Sequence, residues 1–176
     1  MNNTYKLVRL KPDYSFGPFD CGVKDLNSFL MDDAKSYSAR LIAVTYILES
    51  DGRTVAFFSL SNDRIALDDS DKATWRRIKH LFPHSKHRSD YPAVKLCRLG
   101  VSTEYRNRHI GTGILDFIKK TFITDNRTGC AFITVDALPS AVEFYRSNGF
   151  EFLRPSVMPE SDDETIPMYF NLGQLL

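Results

Sequence analysis

The sequence has few cysteines and no pattern that would use them together. Cys21, Cys97 and Cys130 are an odd number among 176 residues, and no Cys-x-x-Cys occurs. This argues against a disulfide framework and a zinc ribbon, and it favours a reducing compartment. We interpret the three thiols as packing residues in the core.

Long apolar runs and an excess of one charge are also absent. No run reaches the roughly 18 apolar residues of a membrane span, and residues 1–13 lack the apolar core of a signal peptide. The 23 basic and 22 acidic side chains leave a net charge of +1. This balance argues against a protein that binds nucleic acid over its entire surface. We therefore expect a cytoplasmic protein with no membrane contact.

The order of apolar patterns indicates an α/β fold. The 43% of hydrophobic residues are enough to build one core, so we expect a single domain over residues 1–176. Residues 68–92 form a polar, basic insertion that contains a short predicted helix at 72–82. In the helix that follows His109, apolar spacing predicts that Lys119 and Lys120 point away from the core. The other predicted elements are an edge strand at 5–10, a helix at 20–37, a hairpin of 41–50 and 53–62, strands at 93–102 and 130–137, a helix from Pro139 to Gly149, and strands at 150–153 and 166–172.

The segment RNRHIGTG, Arg106–Gly113, joins a predicted buried strand to a predicted helix. Glycines let the backbone approach a ligand, and the first amides of a helix have no partner inside it. The segment therefore suits a phosphate group, although a basic turn that merely opens a helix fits equally well. It lacks the Gly-Lys-Ser/Thr of a Walker loop and the third glycine of a dinucleotide fingerprint.

Two spaced motifs resemble those of the GNAT N-acetyltransferases. Residues Arg108–Gly113 match the Gln/Arg-x-x-Gly-x-Gly/Ala motif, and residues 141–150 match the Ala-x-x-Phe-Tyr-x-x-x-Gly-Phe signature. The resemblance implies a central mixed, mostly antiparallel, twisted sheet with splayed fourth and fifth strands, flanked by helices. It also implies that residues 93–153 form an acetyl-CoA-binding core.

The resemblance assigns the cofactor contacts to the backbone of one strand, the following loop and one later aromatic pair. The strand would pair with the pantetheine arm, and the loop amides would hold the pyrophosphate. The residues implied are Leu99, Gly100, Val101, Arg106, Arg108, His109, Ile110, Gly111, Thr112, Gly113, Phe144 and Tyr145.

The reaction implied is direct attack of a primary amine on the thioester of acetyl-CoA through a tetrahedral intermediate. Tyr145 would be the general acid for the departing thiolate, since a phenol with a pKa of about 10 can protonate a thiolate of about 8.5. The backbone N–H of Val101 would stabilise the oxyanion. Asp136 and Glu104 are candidate bases; water could carry the proton instead, or a buried amine could arrive neutral.

The insertion carries a basic run without an acidic residue. Arg76, Arg77, Lys79, Lys86 and Arg88 are the candidate nucleic-acid contacts, although solvated surface explains most such runs. His80, His84 and His87 suggest a metal by number, yet no cysteine or carboxylate completes a ligand set, so we predict no metal. The acidic loop at 159–165 would suit a cationic acceptor.

The N-terminal half, at 19–34, resembles GNAT toxins that acetylate aminoacyl-tRNA, in Phe19, Cys21, Gly22, Leu26, Asn27 and Phe29-Leu30. Three hypotheses remain open. The first is an N-acetyltransferase acting on an unassigned primary amine. The second is a toxin that acetylates charged tRNA and is paired with an antitoxin, and the third is a non-catalytic CoA-binding protein. The last strand also makes a second copy of the chain a candidate partner.

Overall fold

The computed structural model describes residues 5–66, 71–82, 88–126, 128–155, 161 and 164–176. A five-residue π-helical segment, Phe29–Asp33, joins the first two α-helices, and short 3₁₀ turns lie at Thr103–Tyr105, Pro139–Ala141 and Leu172–Leu175. The regular elements are β1 (Lys6–Arg9), α1 (Lys24–Ser28), α2 (Ala34–Ala39), β2 (Val44–Ser50), β3 (Arg53–Ala66), α3 (Lys72–His80), β4 (Asp90–Val101), α4 (Ile110–Thr124), β5 (Phe132–Ala137), α5 (Val142–Ser147), β6 (Glu151–Phe152) and β7 (Ile166–Asn171). Among the described residues, no helix is long and apolar enough to cross a membrane.

The chain divides into two compact units. The first comprises Met1–Ser61 and Leu96–Phe117, and the second comprises Asn62–Lys95 and Ile118–Leu176. Three elements, β3, β4 and α4, have residues in both units. That the chain is a single domain stays a prediction.

The strands follow the order β1-β2-β3-β4-β5-β7-β6 in one seven-stranded sheet. The predicted hairpin is confirmed, since β2 and β3 pair antiparallel around Asp51 and Gly52. Both turn residues have positive φ, 50° and 73°, which matches the twist of a tight hairpin. The β5–β7 and β6–β7 pairs are also antiparallel, which confirms the expected mixed, mostly antiparallel sheet.

The fourth and fifth strands, β4 and β5, pair in parallel. Their register runs from Ala93 opposite Phe132 to Lys95 opposite Thr134. Strand β5 then continues along β7 to Ala137, and β4 itself continues to Val101. The short common register, with both strands continuing beyond it, is the arrangement expected of splayed strands.

The core of the first unit combines aromatic and aliphatic side chains. Phe29, Leu30 and Ala34, from the π segment and α2, are buried together with Ile47 and Phe57 of the hairpin. The apolar residues recur at helical spacing, so one face of the 24–39 stretch meets the sheet. Each fully buried aromatic or aliphatic side chain contributes roughly 1.5–3 kcal/mol of transfer free energy.

The core of the second unit includes helix α3 of the insertion. Trp75 and Ile78 pack with Tyr91 and Phe132 in one buried cluster. The side chain of Asp71 accepts a hydrogen bond from Thr74 N at 2.7 Å and caps the helix. The described residues of the insertion thus include a helix that is anchored in the core.

The predicted orientation of Lys119 was wrong. Its side chain is only 9% exposed, its Nζ donates to the backbone oxygen of Asn148 at 2.8 Å, and it lies 4.3 Å from the ring centroid of Phe170. A long side chain can bury its stem while its ammonium group finds an acceptor. Lys120, the next residue, is exposed as predicted.

Candidate functional site

The segment Arg106–His109 has an unusual backbone. Asn107 and His109 both adopt left-handed conformations, with φ of 59° and 56°. Such conformations cost free energy for residues other than glycine and persist where the surrounding structure holds them. Left-handed residues placed among right-handed or extended ones turn successive amides toward a common point, which creates a concavity suited to an anion.

The start of α4 continues this concavity. Gly113 N donates to His109 O at 2.9 Å, which is the first hydrogen bond of the helix. The amides of Ile110, Gly111 and Thr112 therefore have no acceptor within the helix, and the helix dipole adds partial positive charge beside them. A Cβ added to Gly113 would meet no atom within 4 Å, so this turn is open. The residues present fit a phosphate group.

The side chains around the segment differ in their surroundings. Arg108 is exposed, and its guanidinium lies 5.0 Å from the ring centroid of Tyr105. Arg106 instead directs Nη2 to the backbone oxygen of Cys21 at 2.7 Å. A guanidinium has five N–H donors, so this bond uses only one of them. That both arginines contact the cofactor stays a prediction.

The last residues of β4 also belong to the first unit. Gly100 is buried, and a Cβ there would lie 2.7 Å from Phe57 Cε1, so only glycine fits. Its neighbours Leu99 and Val101 are partly exposed. The amide of Ser102 donates to Val55 O at 2.9 Å, which fixes the end of the strand. The expected pantetheine and oxyanion contacts of these residues stay predictions.

Tyr145 lies in the second unit, on α5. It is 6% exposed, and its ring makes edge contacts with Phe144 and Phe150 at centroid distances of 5.1 and 5.3 Å. Burial raises the pKa of Tyr145 well above its ordinary value. Within the described part of the chain its hydroxyl has no hydrogen-bond partner, so the donor is available, and the raised pKa keeps it protonated at neutral pH.

Both candidate bases are in ion pairs. The carboxylate of Asp136 contacts Lys95 Nζ, and the carboxylate of Glu104 contacts Arg53 at 2.6 Å. Glu104 belongs to the first unit and Asp136 to the second. Each carboxylate is at least 45% exposed, so neither is desolvated by burial.

The sequence reasoning missed three polar residues near Asp136 in the second unit. Lys95 and Thr134 are the last register pair of β4 and β5, and the Thr134 hydroxyl donates to the carboxylate of Asp63 on β3. Their signal in the sequence was a polar or charged residue inside an otherwise apolar strand, such as Lys95 within AVKLC. They form a polar cluster at the end of the parallel register.

Helix α3 carries three of the predicted nucleic-acid contacts. Arg76 is exposed on the side away from the buried Trp75 and Ile78, and Lys79 is half-buried, one turn after Trp75. Arg77 instead forms an ion pair with Glu151 at 2.8 Å. Arg88 is exposed in the stretch before β4. Arg77 therefore also joins α3 to β6.

Several predicted features lie outside the described residues. These are Lys86, His84, His87 and most of the acidic loop at 159–165. His80 is described and ends α3. Within the described ranges, no group of three metal-ligating side chains is present.

Residues 42–152 match the family model described as an acetyltransferase (GNAT) domain. No curated protein sequence matches the chain. Among solved structures, a bacterial toxin superposes with a TM-score of 0.80 at 19% identity, covering 98% of this chain and 93% of that chain. AtaT complexed with acetyl-methionyl-tRNAfMet gives 0.76 at 19% identity, covering 98% and 97%.

A mutant of KacT also gives a TM-score of 0.76, at 21% identity and with coverage of 98% and 99%. Because these identities are low, the superpositions establish the fold. The family model extends over most of the chain, from β2 to β6, and includes the Arg106–Gly113 segment and Tyr145. The chain therefore belongs to the GNAT acetyltransferase family.

Proposed function

We propose that the protein transfers the acetyl group of acetyl-CoA to a primary amine. The observation that carries this proposal is the backbone of Arg106–Gly113, where two left-handed residues lead into an open helix start. In this role the amides from Arg108 to Thr112 hold the pyrophosphate, because the Gly113 amide is already bonded to His109, and the exposed Arg108 adds a charge-assisted contact. Acetyl-CoA supplies an activated thioester. The protein binds this cosubstrate and supplies the proton that the departing thiolate takes up.

Tyr145 is the proposed general acid, with its hydroxyl proton passing to the sulfur of the departing thiolate. The family motif, the burial of the ring and the lack of a described hydroxyl partner support this role. The backbone N–H of Val101 is the proposed oxyanion donor. Asp136 is the base that the motif comparison suggested, but its ion pair with Lys95 argues against that role, and an amine that arrives neutral needs no base.

A second candidate substrate is the amino group of aminoacyl-tRNA, with an antitoxin as partner. The cations of α3 favour it, because the exposed Arg76 and the half-buried Lys79 could both contact a phosphate backbone. The AtaT complex with acetyl-methionyl-tRNAfMet has the same fold. The non-catalytic alternative predicts binding of acetyl-CoA without transfer to any acceptor.

The test is transfer of labelled acetyl from acetyl-CoA to a panel of small amines, peptides and charged tRNA. Wild-type protein should label at least one acceptor. Gly111→Trp should abolish binding and transfer, because an indole would fill the space before the free amides. Phe117→Trp is the matched control, since it puts the same side chain on the exposed face of α4. Binding without transfer would favour the CoA-binding protein.

A further inference from the structure

The turn at 19–27 has no role in the proposed reaction, yet it is dense in hydrogen bonds. Asp20 Oδ1 accepts from Gly22 N and from Asn27 Nδ2, both at 2.7 Å. Cys21 N donates to Asn27 Oδ1 at 3.0 Å. The Gly22 amide and then the Asn27 side chain lower the pKa of Asp20, so the carboxylate that closes the turn is charged at neutral pH.

The closed turn is bonded to the residues just before the phosphate-binding segment. Thr103 donates to Asp20 O through its amide at 2.8 Å and through its hydroxyl at 3.2 Å. Arg106 Nη2 donates to Cys21 O at 2.7 Å. Gly22 has a φ of +75°, and a Cβ there would lie 3.0 Å from Arg106 Nη2. The left-handed backbone favours glycine at this position, and any larger side chain would press on the guanidinium of Arg106.

The same turn also packs on the end of β4. A Cβ on Gly100 would lie 3.3 Å from Phe19 Cζ, and the Phe19 ring contacts Phe57 edge-on at 5.5 Å. The turn therefore contacts the 100–106 stretch of the first unit at three places: Gly100 on β4, Thr103 and the side chain of Arg106. Between and beyond them lie the residues assigned to cofactor binding.

We propose that the turn at 19–27 positions the phosphate-binding segment, and that Arg106 is a positioning residue that acts through Cys21 rather than a phosphate ligand. The left-handed Asn107 and His109 need surroundings that hold them, and Arg106 is the adjoining fixed point. This inference rests on the proposed binding of acetyl-CoA. It gives a physical role to Phe19, Asp20, Gly22 and Asn27, none of which is expected to touch the cofactor.

The experiment compares two ligands that differ in the phosphates. Asn27→Ala and Arg106→Ala should each weaken acetyl-CoA binding about five- to tenfold, the equivalent of one or two net hydrogen bonds. S-acetylpantetheine carries the thioester but no pyrophosphate, so its affinity should not change. Titration calorimetry measures the first ligand, and ligand-observed NMR at millimolar concentration measures the second.

A double-mutant cycle separates positioning from direct phosphate contact. If both residues act through one turn, the Asn27→Ala and Arg106→Ala losses should be less than additive. Arg40→Ala is the control, because this exposed arginine follows α2 in the same unit. Asp20→Asn replaces Asn27→Ala if that variant fails to fold, and melting temperatures verify the fold.

Each result decides the matter. Additive losses would make Arg106 a phosphate ligand and overturn its positioning role. Unchanged acetyl-CoA affinity, or equal losses for both ligands, would overturn the role of the turn while leaving the proposed function intact. If the wild-type protein binds no acetyl-CoA, both the role of the turn and the proposed function are overturned.

Discussion

Lys95 and Asp136 form an ion pair between neighbouring parallel strands, at the end of the register that β4 and β5 share. A general base must take up a proton, and a proton on Asp136 would cancel the negative charge that pairs with Lys95. The ion pair therefore argues against a base at this position. We therefore expect Asp136→Asn to lower kcat/KM less than tenfold, whereas loss of a general base costs about 10²–10⁴-fold. Steady-state kinetics of Asp136→Asn and Lys95→Met check this. A 100-fold loss in Asp136→Asn alone would make Asp136 the base.

The pH dependence of turnover follows from the burial of Tyr145. Burial raises its pKa, so the phenol keeps its proton at every pH below the ordinary tyrosine value of about 10. We expect kcat to show no alkaline decline up to about pH 9.5, measured at saturating acetyl-CoA and acceptor. A decline near pH 8 that disappears in Tyr145→Phe would contradict the assignment.

Stability should depend on Lys119 and not on Lys120. Lys119→Ala leaves the Asn148 oxygen without its donor and removes the packing against Phe170, which should lower the free energy of unfolding by about 1–3 kcal/mol. Lys120→Ala, one residue along and exposed, should change it by less than about 0.5 kcal/mol. Urea unfolding of both variants gives the comparison, and equal effects would refute the buried role of Lys119.

Charged tRNA, if it is the acceptor, should bind through the outer face of α3. Arg76→Ala with Lys79→Ala should reduce the slope of log affinity against log salt by about one for each phosphate that the variant no longer neutralises. Arg77 is left intact, because its removal would leave Glu151 without its ion-pair partner. Lys120→Ala serves as the control on another helix. An unchanged slope, or no tRNA binding at low salt, would exclude this surface.

Local patterns were predictable from the sequence, and interactions between residues distant in the chain were not. The Asp51-Gly52 hairpin and the helix start after His109 depend on neighbouring residues, so turn chemistry and spacing suffice to predict them. The placement of β7 between β5 and β6 and the hydrogen bond from Arg106 to Cys21 depend on packing across the sequence. Lys119 was misplaced because periodicity assigns every lysine to solvent and does not detect a buried acceptor.

The candidate site was predictable to the same extent. The motif gave the residues of the Arg106–Gly113 segment, but it did not predict the left-handed Asn107 and His109 that shape it. The ion pairs of Asp136 and Glu104 were equally hidden, because Lys95 and Arg53 are separated from them in sequence by 41 and 51 residues. Side-chain partners across a sheet require the three-dimensional register.

The most direct test of the proposed mechanism is a single-turnover measurement of acetyl transfer by Tyr145→Phe beside Tyr169→Phe. Both variants lose one hydroxyl from a buried tyrosine of the second unit, but the Tyr169 hydroxyl is bonded to Glu151 at 3.4 Å. We predict that Tyr145→Phe slows transfer at least about 100-fold with unchanged acetyl-CoA affinity, and that Tyr169→Phe retains the rate. Undiminished transfer by Tyr145→Phe would contradict the proposed mechanism, and no transfer by the wild-type protein to any acceptor would contradict the proposed function.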